Sequence, residues 1–226
     1  NRAPTTHHSN HNHFAQLQPN EDIFPNEEAG HFNTTTIDDQ QYIKAYTDGS
    51  LIMPLSLLWS SAGWAVHYGP NNKANYAAPL EGDHQCSYRA ETRAILHVVM
   101  HATQPTSIYC DCKGVVDKFN NLLQGHQMQP NQPNMDIWNR IQNELAQLQR
   151  QDYFKINWIP SHFDEEKNIK KRDKYLKGGG LEEDIQGNIG ADKACGEAAA
   201  LAKPNHTRAT IAFKRQQLTG VVQNMM

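Results

Sequence analysis

The sequence Tyr-Ile-Lys-Ala-Tyr-Thr-Asp-Gly-Ser at residues 42–50 decides how the rest of the chain is interpreted. Its alternating pattern predicts a β-strand that ends at Asp48, because Gly49 and Ser50 interrupt the strand. A carboxylate at the end of a strand, followed by glycine, lies at the rim of a sheet with space beside it. The tripeptide alone is more typical of a simple turn, so its interpretation depends on whether other carboxylates occupy similar places.

The rest of the chain predicts an α/β domain. Strands are predicted at 42–48, 62–68, 73–80, 107–111 and 154–159, bounded by turn residues. Helices are predicted at 87–104, 113–123, 135–148 and 188–201, mostly where apolar residues recur at helical spacing. Three meander strands followed by alternating helices and strands imply a mixed sheet with helices packed on it. Trp138 and Trp158 have apolar neighbours and are expected in the core.

Both ends of the chain differ in composition from the central domain, which we place at residues 41–203. Residues 1–40 hold six acidic residues and one basic residue, are rich in His, Asn and Thr, and have no apolar period, so we expect a flexible leader. Residues 204–226 hold three basic residues and no acidic one, so we expect a basic tail. The chain begins at Asn1, which indicates a processed product or a piece of a longer protein.

The cysteines and the hydropathy of the chain limit the compartments and partners that we expect. The four cysteines lack the spacing of a zinc site and indicate packed free thiols: Cys86, Cys110, Cys112 and Cys195. We therefore expect a reducing intracellular compartment, the nucleus or the cytoplasm. No apolar run approaches the roughly 18 residues of a membrane helix, so we expect no membrane partner. The formal net charge of −3 does not by itself indicate a polyanionic partner.

Four carboxylates occupy similar places in the predicted elements. Asp48 and Asp111 each end a strand, whereas Glu91 and Asp192 lie near the starts of helices that should pack on the sheet. Clustered carboxylates repel one another, and their pKa values rise unless a cation neutralises them. Mg²⁺ and Mn²⁺ prefer such oxygen ligands, and two such ions about 4 Å apart can hold a phosphodiester for hydrolysis.

Five short stretches, taken together and in this order, resemble the type 1 ribonuclease H family, above all the versions carried by retroelements. They are Thr47-Asp48-Gly49-Ser50, residues 85–91, residues 109–115, Trp158-Ile159-Pro160-Ser161-His162 and residues 187–192. The resemblance extends over about residues 42–203. It implies a five-stranded mixed sheet with helices on both faces, in which the second and third strands run antiparallel to the others.

The resemblance also implies an activity and its residues. The expected reaction is endonucleolytic cleavage of the RNA strand of an RNA–DNA hybrid with two Mg²⁺ ions, which Mn²⁺ can replace. The expected metal ligands are Asp48, Glu91, Asp111 and Asp192, and His162 is the expected mobile-loop histidine that assists proton movement or product release. Nucleic-acid contacts are expected at Gly49, Ser50, Gln85, Ser87 and Asn188. A polymerase or another polyprotein domain in the same chain is an expected partner.

Two departures from the family pattern affect substrate binding. Ser87 and Tyr88 stand where cellular members often have an Asn pair near the minor groove, which leaves the contacts to 2′-hydroxyls open. An insertion of roughly 20 residues occupies 163–186, where the family usually has only a few residues. The insertion is either a solvated loop or a phosphate-binding segment, and its candidate contacts are Lys170, Lys171, Arg172 and Lys174.

Two other functions are compatible with the same fold. One is a catalytically silent domain that serves as a scaffold, and the complete set of four carboxylates argues against it. The other is a different two-metal enzyme, an exonuclease or a DNA strand-transfer enzyme. The Ser161-His162 exit from the last strand and the Gly187-Asn188 start of the last helix favour ribonuclease H.

Overall fold

The computed structural model describes residues 31–53, 59–129, 131–147, 151–203 and 206–225. The strands are β1 (Thr34–Ile37), β2 (Gln40–Ile52), β3 (Ser61–His67), β4 (Tyr76–Pro79), β5 (Thr106–Cys110) and β6 (Phe154–Trp158). The helices are α1 (Ser87–His101), α2 (Lys113–Leu123), α3 (Met135–Gln147), α4 (Ile169–Lys177), α5 (Glu182–Leu201) and α6 (His206–Met225). Residues 1–30, most of the predicted leader, lie outside the described residues.

The sheet is mixed, with β2 at its centre. Its strand order is β4-β3-β2-β5-β6, with β1 paired to the start of β2. Strand β2 is parallel to β5, and β5 to β6, whereas β3 is antiparallel to both β2 and β4. The mixed sheet is therefore confirmed, but the predicted direction of the third meander strand is wrong. A meander reverses at every turn, so β4 runs in the same direction as β2.

The last part of the predicted leader is a strand. β1 pairs antiparallel with β2, with Thr34 opposite Ile43, and the backbone N–H of Lys44 donates to the carbonyl of Asn33 at 2.8 Å. Three threonines and an isoleucine favour extended backbone, and Asp38 and Asp39 adopt positive φ angles of 51° and 62°, as a two-residue hairpin turn requires. The last residues of the predicted leader therefore belong to the sheet.

Strand β2 is longer than predicted and continues through Gly49 and Ser50 to Ile52. Its second half is held by β3, with Asp48 opposite Ala65 and Gly49 opposite Trp64. Asp48 therefore lies inside a strand and not at its end. Its neighbour β5 stops earlier, because the last β2–β5 pair is Thr47 with Cys110. Asp48 consequently lies where the parallel part of the sheet ends, next to Asp111.

Helices pack on both faces of the sheet, as expected. A Cβ on Gly49 would overlap the backbone of α1 at Ala90 and Glu91. A Cβ on Gly63 would overlap the backbone of α5 at Cys195 and Ala199. Both glycines therefore allow a helix to approach the sheet closely, on opposite faces. The larger apolar core lies among the sheet, α1, α2 and α3. A smaller core is formed around Ile159, Phe163 and Ile185, and side chains of α4 and α5 pack against it.

The predicted insertion at 163–186 is mostly helical. It contains a 3₁₀ turn (Glu166–Asn168), all of α4 and the first residues of α5. Helix α5 begins at Glu182, six residues before the predicted start at 188. The acidic residues of its first turn favour a helix N-terminus, and Asp184 accepts from the backbone N–H of Leu181 at 3.3 Å. Asp192 therefore lies in the middle of α5 and not one turn from its start.

Two further expectations concern the edge of the sheet and the C-terminus. Trp138 is buried as expected, whereas Trp158 is 47% exposed because it ends the edge strand β6. Its indole N–H donates to the carbonyl of Asp111 at 2.9 Å.

The predicted basic tail contains α6. None of the helices in the described segments has the length and hydropathy that crossing a membrane requires.

A buried ion pair joins α5 to the start of β2. Lys44 and Asp184 are 2% and 4% exposed, and the Lys44 ammonium donates to Asp184 Oδ1 at 2.9 Å. The hydroxyls of Tyr46 and Tyr175 also donate to Asp184, at 2.9 and 3.2 Å. Burial alone would lower the pKa of Lys44, but the hydrogen bonds and charges of Asp184 and Glu183 raise it.

Removal of the Asp184 carboxylate should destabilise the domain strongly. Asp184→Ala leaves the buried ammonium with only the exposed Glu183 as a carboxylate partner and leaves two hydroxyls without their acceptor, so we expect the free energy of unfolding to fall by about 3–5 kcal/mol in a chemical denaturation experiment. Glu183→Ala is the matched control, because Glu183 also pairs with Lys44 but is 41% exposed, and it should cost less than about 1 kcal/mol. Equal losses in the two variants would contradict a structural role for the buried pair.

Candidate metal centre

Three carboxylates meet at the point where β5 ends. Asp48 comes from the central strand, Glu91 from the second turn of α1, and Asp111 from the residue that follows β5. One oxygen of each lies within 4.8 Å of the others. Asp48 and Glu91 are buried, at 7% and 4% exposure, and Asp111 is half-buried. The structure therefore brings together three of the four predicted metal ligands in one cluster.

Local packing explains why Glu91 reaches this cluster. Gly49 follows Asp48 directly, and the backbone of α1 at Ala90 and Glu91 occupies the space where a Cβ of residue 49 would lie. The helix backbone thus contacts the strand immediately beside Asp48. The backbone N–H of Gly49 also donates to Asp48 Oδ1 at 2.6 Å, which holds that carboxylate in place. In this structure Gly49 has a packing role, and its predicted contact with nucleic acid stays a prediction.

Asp192, the fourth predicted ligand, approaches Asp48 from the other face of the sheet. Ligand atoms of Asp48, Asp192 and Cys195 lie within 4.8 Å of one another, so Asp48 belongs to both groups. Cys195 lies one helical turn after Asp192 and its Sγ donates to the Asp192 carbonyl at 3.1 Å. Burial raises the pKa of the Cys195 thiol, which keeps it protonated. The sequence did not lead us to expect Cys195 beside the carboxylates, although its i, i+3 spacing from Asp192 places both side chains on the same face of a helix.

The electrostatics of the cluster favour a bound cation. Burial, together with the charges of Asp111 and Asp192, raises the pKa of Asp48 to about 8. Burial and the charge of Asp48 raise the pKa of Glu91 well above its usual range, and burial also raises the pKa values of Asp111 and Asp192. Deprotonation of the whole set is therefore costly unless positive charge enters. The carboxylate groups of this cluster offer oxygen ligands and carry no positive charge of their own, which suits a hard divalent ion.

His162 lies at the open side of the site. Its imidazole Nδ1 is 3.8 Å from Asp192 Oδ2, and the side chain is 53% exposed. The residue has a positive φ of 55°, and its carbonyl accepts from Asn168 Nδ2 at 2.8 Å. The imidazole can therefore exchange protons with solvent while it stays beside a carboxylate.

The predicted nucleic-acid contacts fall into different environments. Ser50 is half-buried in β2, and Ser87 is exposed at the start of α1. The Gln85 amide is engaged within the protein, since it accepts from Ala62 N at 2.8 Å and donates to the Leu80 carbonyl at 3.0 Å. Asn188 is 1% exposed inside α5. The Asn188 side chain is therefore covered in this structure, and its predicted contact with nucleic acid stays a prediction.

The four basic residues of the insertion that were predicted to contact nucleic acid also fall into different environments. Lys170 and Lys174 are exposed on α4. Lys171 Nζ donates to the carbonyl of Ser161 at 2.6 Å. The guanidinium of Arg172 pairs with Glu182 at 2.6 Å. Two of the four residues are thus available to a ligand, whereas the other two already bind the protein.

The raised pKa of Asp48 has a consequence for stability without metal. A carboxylate whose pKa is higher in the folded state than in the unfolded state destabilises the fold progressively as pH rises between the two values, here from about 4 to about 8. Asp48→Asn should therefore raise the melting temperature of the metal-free protein at pH 8 and have little effect near pH 4. Thermal melts in EDTA measure both, with the exposed Asp83→Asn as the control. A lower melting temperature of the Asp48 variant at pH 8 would contradict this electrostatic explanation.

Comparison with known proteins connects this geometry to a family. The model of the RNase H family matches residues 40–200, which include all four carboxylates and His162. No curated protein matches the chain. The solution structure of the prototype foamy virus RNase H domain is 19% identical, has a TM-score of 0.51, and is aligned over 76% of this chain and 97% of that domain. Its similarity shows the same fold.

Two further solved structures are similar at lower TM-scores. The foamy viral protease-reverse transcriptase, solved with an RNA/DNA hybrid, is 20% identical over 69% of this chain, with a TM-score of 0.49. This chain spans about a fifth of that protein, since the match covers 20% of it. LC11-RNase H1, isolated from compost and solved with an RNA/DNA hybrid, is 16% identical over 70% of this chain and 97% of its own, with a TM-score of 0.45. The family match alone covers well over half of the sequence, and the chain belongs to the RNase H family.

Proposed function

We propose that this protein is an endoribonuclease that hydrolyses the RNA strand of RNA–DNA hybrids with two divalent cations, Mg²⁺ or Mn²⁺. The observation that carries the proposal is the shared position of Asp48, which lies in one group with Glu91 and Asp111 and in a second with Asp192. Membership of the RNase H family supports the same reaction. The complete set of carboxylates speaks against a silent scaffold domain.

Each residue of the site has a role in the proposed reaction. Asp48, Glu91, Asp111 and Asp192 would hold the cations. When bound, such ions activate the attacking water and neutralise the charge that develops on the phosphodiester. Cys195 lies beside Asp48 and Asp192 but is left out of the proposed ligand set, because Mg²⁺ and Mn²⁺ prefer oxygen ligands to sulfur. The His162 imidazole is exposed at one side of the carboxylates, and the substrate approaches them from that side in this proposal.

His162 acts as a proton carrier in this proposal. Its exposed imidazole lies 3.8 Å from Asp192, so it can take up a proton from the site or deliver one to the leaving oxygen and exchange it with solvent. Neither step requires movement of the strands, because His162 belongs to the loop that leaves β6. Departure of the product would leave the same imidazole free to exchange its proton again.

The wider setting of the protein is also part of the proposal. The sequence resembles retroelement versions of the family, so we propose a polymerase or another polyprotein domain as its partner in the same chain. The four cysteines are free thiols in the structure, which supports a reducing compartment, the nucleus or the cytoplasm.

A cleavage assay on matched substrates tests the proposed function. A labelled RNA–DNA hybrid should be cut in its RNA strand in the presence of Mg²⁺ and left intact in EDTA, whereas matched double-stranded RNA and DNA should not be cut. Asp111→Asn should abolish cleavage without lowering the melting temperature, because it removes ligand charge from a site that is repulsive without metal. Asp83→Asn, an exposed acid outside the site, should retain full activity. Cleavage of duplex DNA instead would indicate another two-metal nuclease, and no cleavage of any substrate would indicate a scaffold domain.

Substitution of His162 should slow turnover without weakening substrate binding. His162→Ala removes the proton carrier, so we expect kcat to fall by about 10- to 100-fold, toward the low end of general acid–base effects, with unchanged affinity for the hybrid. Single-turnover kinetics and binding measurements separate the two quantities. The exposed His126→Ala is the matched control. A variant that loses affinity and keeps its kcat would indicate that His162 contacts a phosphate.

A further inference from the structure

Helix α4 is docked on the domain and is not a solvated loop. Its inner face carries Tyr175 and Leu176, which pack with Phe163 and Ile185 in the smaller apolar core. The rings of Tyr175 and Phe163 are 5.3 Å apart, and the Tyr175 hydroxyl donates to the buried Asp184 at 3.2 Å. The orientation of α4 relative to the sheet is therefore determined by apolar packing and by the same carboxylate that pairs with Lys44.

The same helix is also attached to the loop that carries His162. Lys171 donates to the carbonyl of Ser161 at 2.6 Å, and Asn168 donates to the carbonyl of His162 at 2.8 Å. On its other side, Arg172 pairs with Glu182 at the start of α5. Lys171 and Arg172 thus hold α4 between the His162 loop and α5. A ligand on the outer face of α4 would be positioned relative to His162.

The outer face of α4 presents three lysines in a row. Lys170, Lys174 and Lys177 are spaced by four and three residues, which places them on one side of a helix, and all three are exposed. Within the segments that the structure describes, none of them forms an ion pair. Asp173 is exposed at the edge of this row, so the face retains net positive charge. Like charges at this spacing repel, and an extended anion along the face would relieve the repulsion.

The dimensions of this lysine row match a nucleic-acid backbone. At a rise of 1.5 Å per residue, the seven steps from Lys170 to Lys177 span about 10 Å along the helix axis. One strand of a duplex advances about 3.4 Å along its axis per phosphate, so this length corresponds to about three phosphates. Lysine ammonium groups bind phosphates as point charges and do not read sequence.

We infer that Lys170, Lys174 and Lys177 form a binding site for the phosphates of one strand of a double-helical nucleic acid, which α4 holds in a defined position relative to His162. The inference rests on the proposed function, because it takes the substrate at the carboxylates to be a duplex. It assigns different roles to neighbouring basic residues: the row Lys170, Lys174 and Lys177 binds the duplex, whereas Lys171 and Arg172 position the helix.

Salt-dependent binding of a hybrid of about 20 base pairs tests the inference, measured without divalent cation so that no RNA is cleaved. The variant Lys170→Gln/Lys174→Gln/Lys177→Gln should bind more weakly, and its slope of log affinity against log salt should be smaller by about 0.9 for each lost contact, up to about 3. The control Lys73→Gln/Lys203→Gln/Lys214→Gln removes the same charge from exposed lysines elsewhere and should keep the wild-type slope. Asp173→Lys should steepen the slope by about 0.9.

Activity measurements separate failure of this inference from failure of the proposed function. With Mg²⁺ and saturating hybrid, the triple α4 variant should keep the wild-type kcat with a raised KM, because the carboxylates are untouched. If the wild-type protein cleaves the hybrid but the α4 variant binds with an unchanged slope, the inference is wrong and the proposed function stands. An equal loss of slope in the control variant would also overturn it. If the wild-type protein neither binds the hybrid nor cleaves it with Mg²⁺, both fail.

Discussion

The structure depends on the close approach of carboxylates that repel one another. Asp48, Glu91 and Asp111 lie within 4.8 Å in a largely buried place, and Asp192 approaches Asp48 from the other face of the sheet. Nothing in this cluster is favourable by itself, because burial and mutual repulsion both oppose ionisation. The packing of α1 against Gly49 and of α5 against Gly63 forces the groups together. The fold thus stabilises an arrangement that a divalent cation would convert from repulsive to attractive.

The buried pair of Lys44 and Asp184 sets the register of α5 along β2. Contacts between the two elements advance in the same direction, from Lys44 with Asp184, through Tyr46 with Gly187, to Asp48 with Asp192. Four strand residues advance about 13 Å, and eight helical residues advance about 12 Å. The two lengths agree, so an ion pair at one end brings the ligand carboxylates together at the other end. The favourable buried ion pair and the unfavourable carboxylate cluster therefore both follow from one alignment of α5 along β2.

Most of the fold and of the site could be predicted from local sequence patterns, and the failures have physical reasons. Asp48 and Asp111 could be singled out because both adjoin recognisable strands, and the pairing of β2 with β5 brings them together. The end of β2 was misplaced because Gly49 and Ser50 are usually turn residues, whereas pairing with β3 keeps them extended. The Lys44–Asp184 pair joins residues 140 positions apart and leaves no local signal. The start of α5 was also missed, because Gly187 looks like a helix boundary but packs against the ring of Tyr46.

The central claim is that the carboxylates around Asp48 are a site for divalent cations. The most direct measurement is a titration of the protein with Mn²⁺, followed by paramagnetic broadening of backbone amide resonances in two-dimensional NMR spectra. Broadening at low Mn²⁺ concentration should be centred on Gly49, Glu91 and Asp111, should be reversed by excess Mg²⁺, and should be lost in Asp48→Asn. Broadening centred elsewhere, or unchanged by the substitution, would contradict the claim.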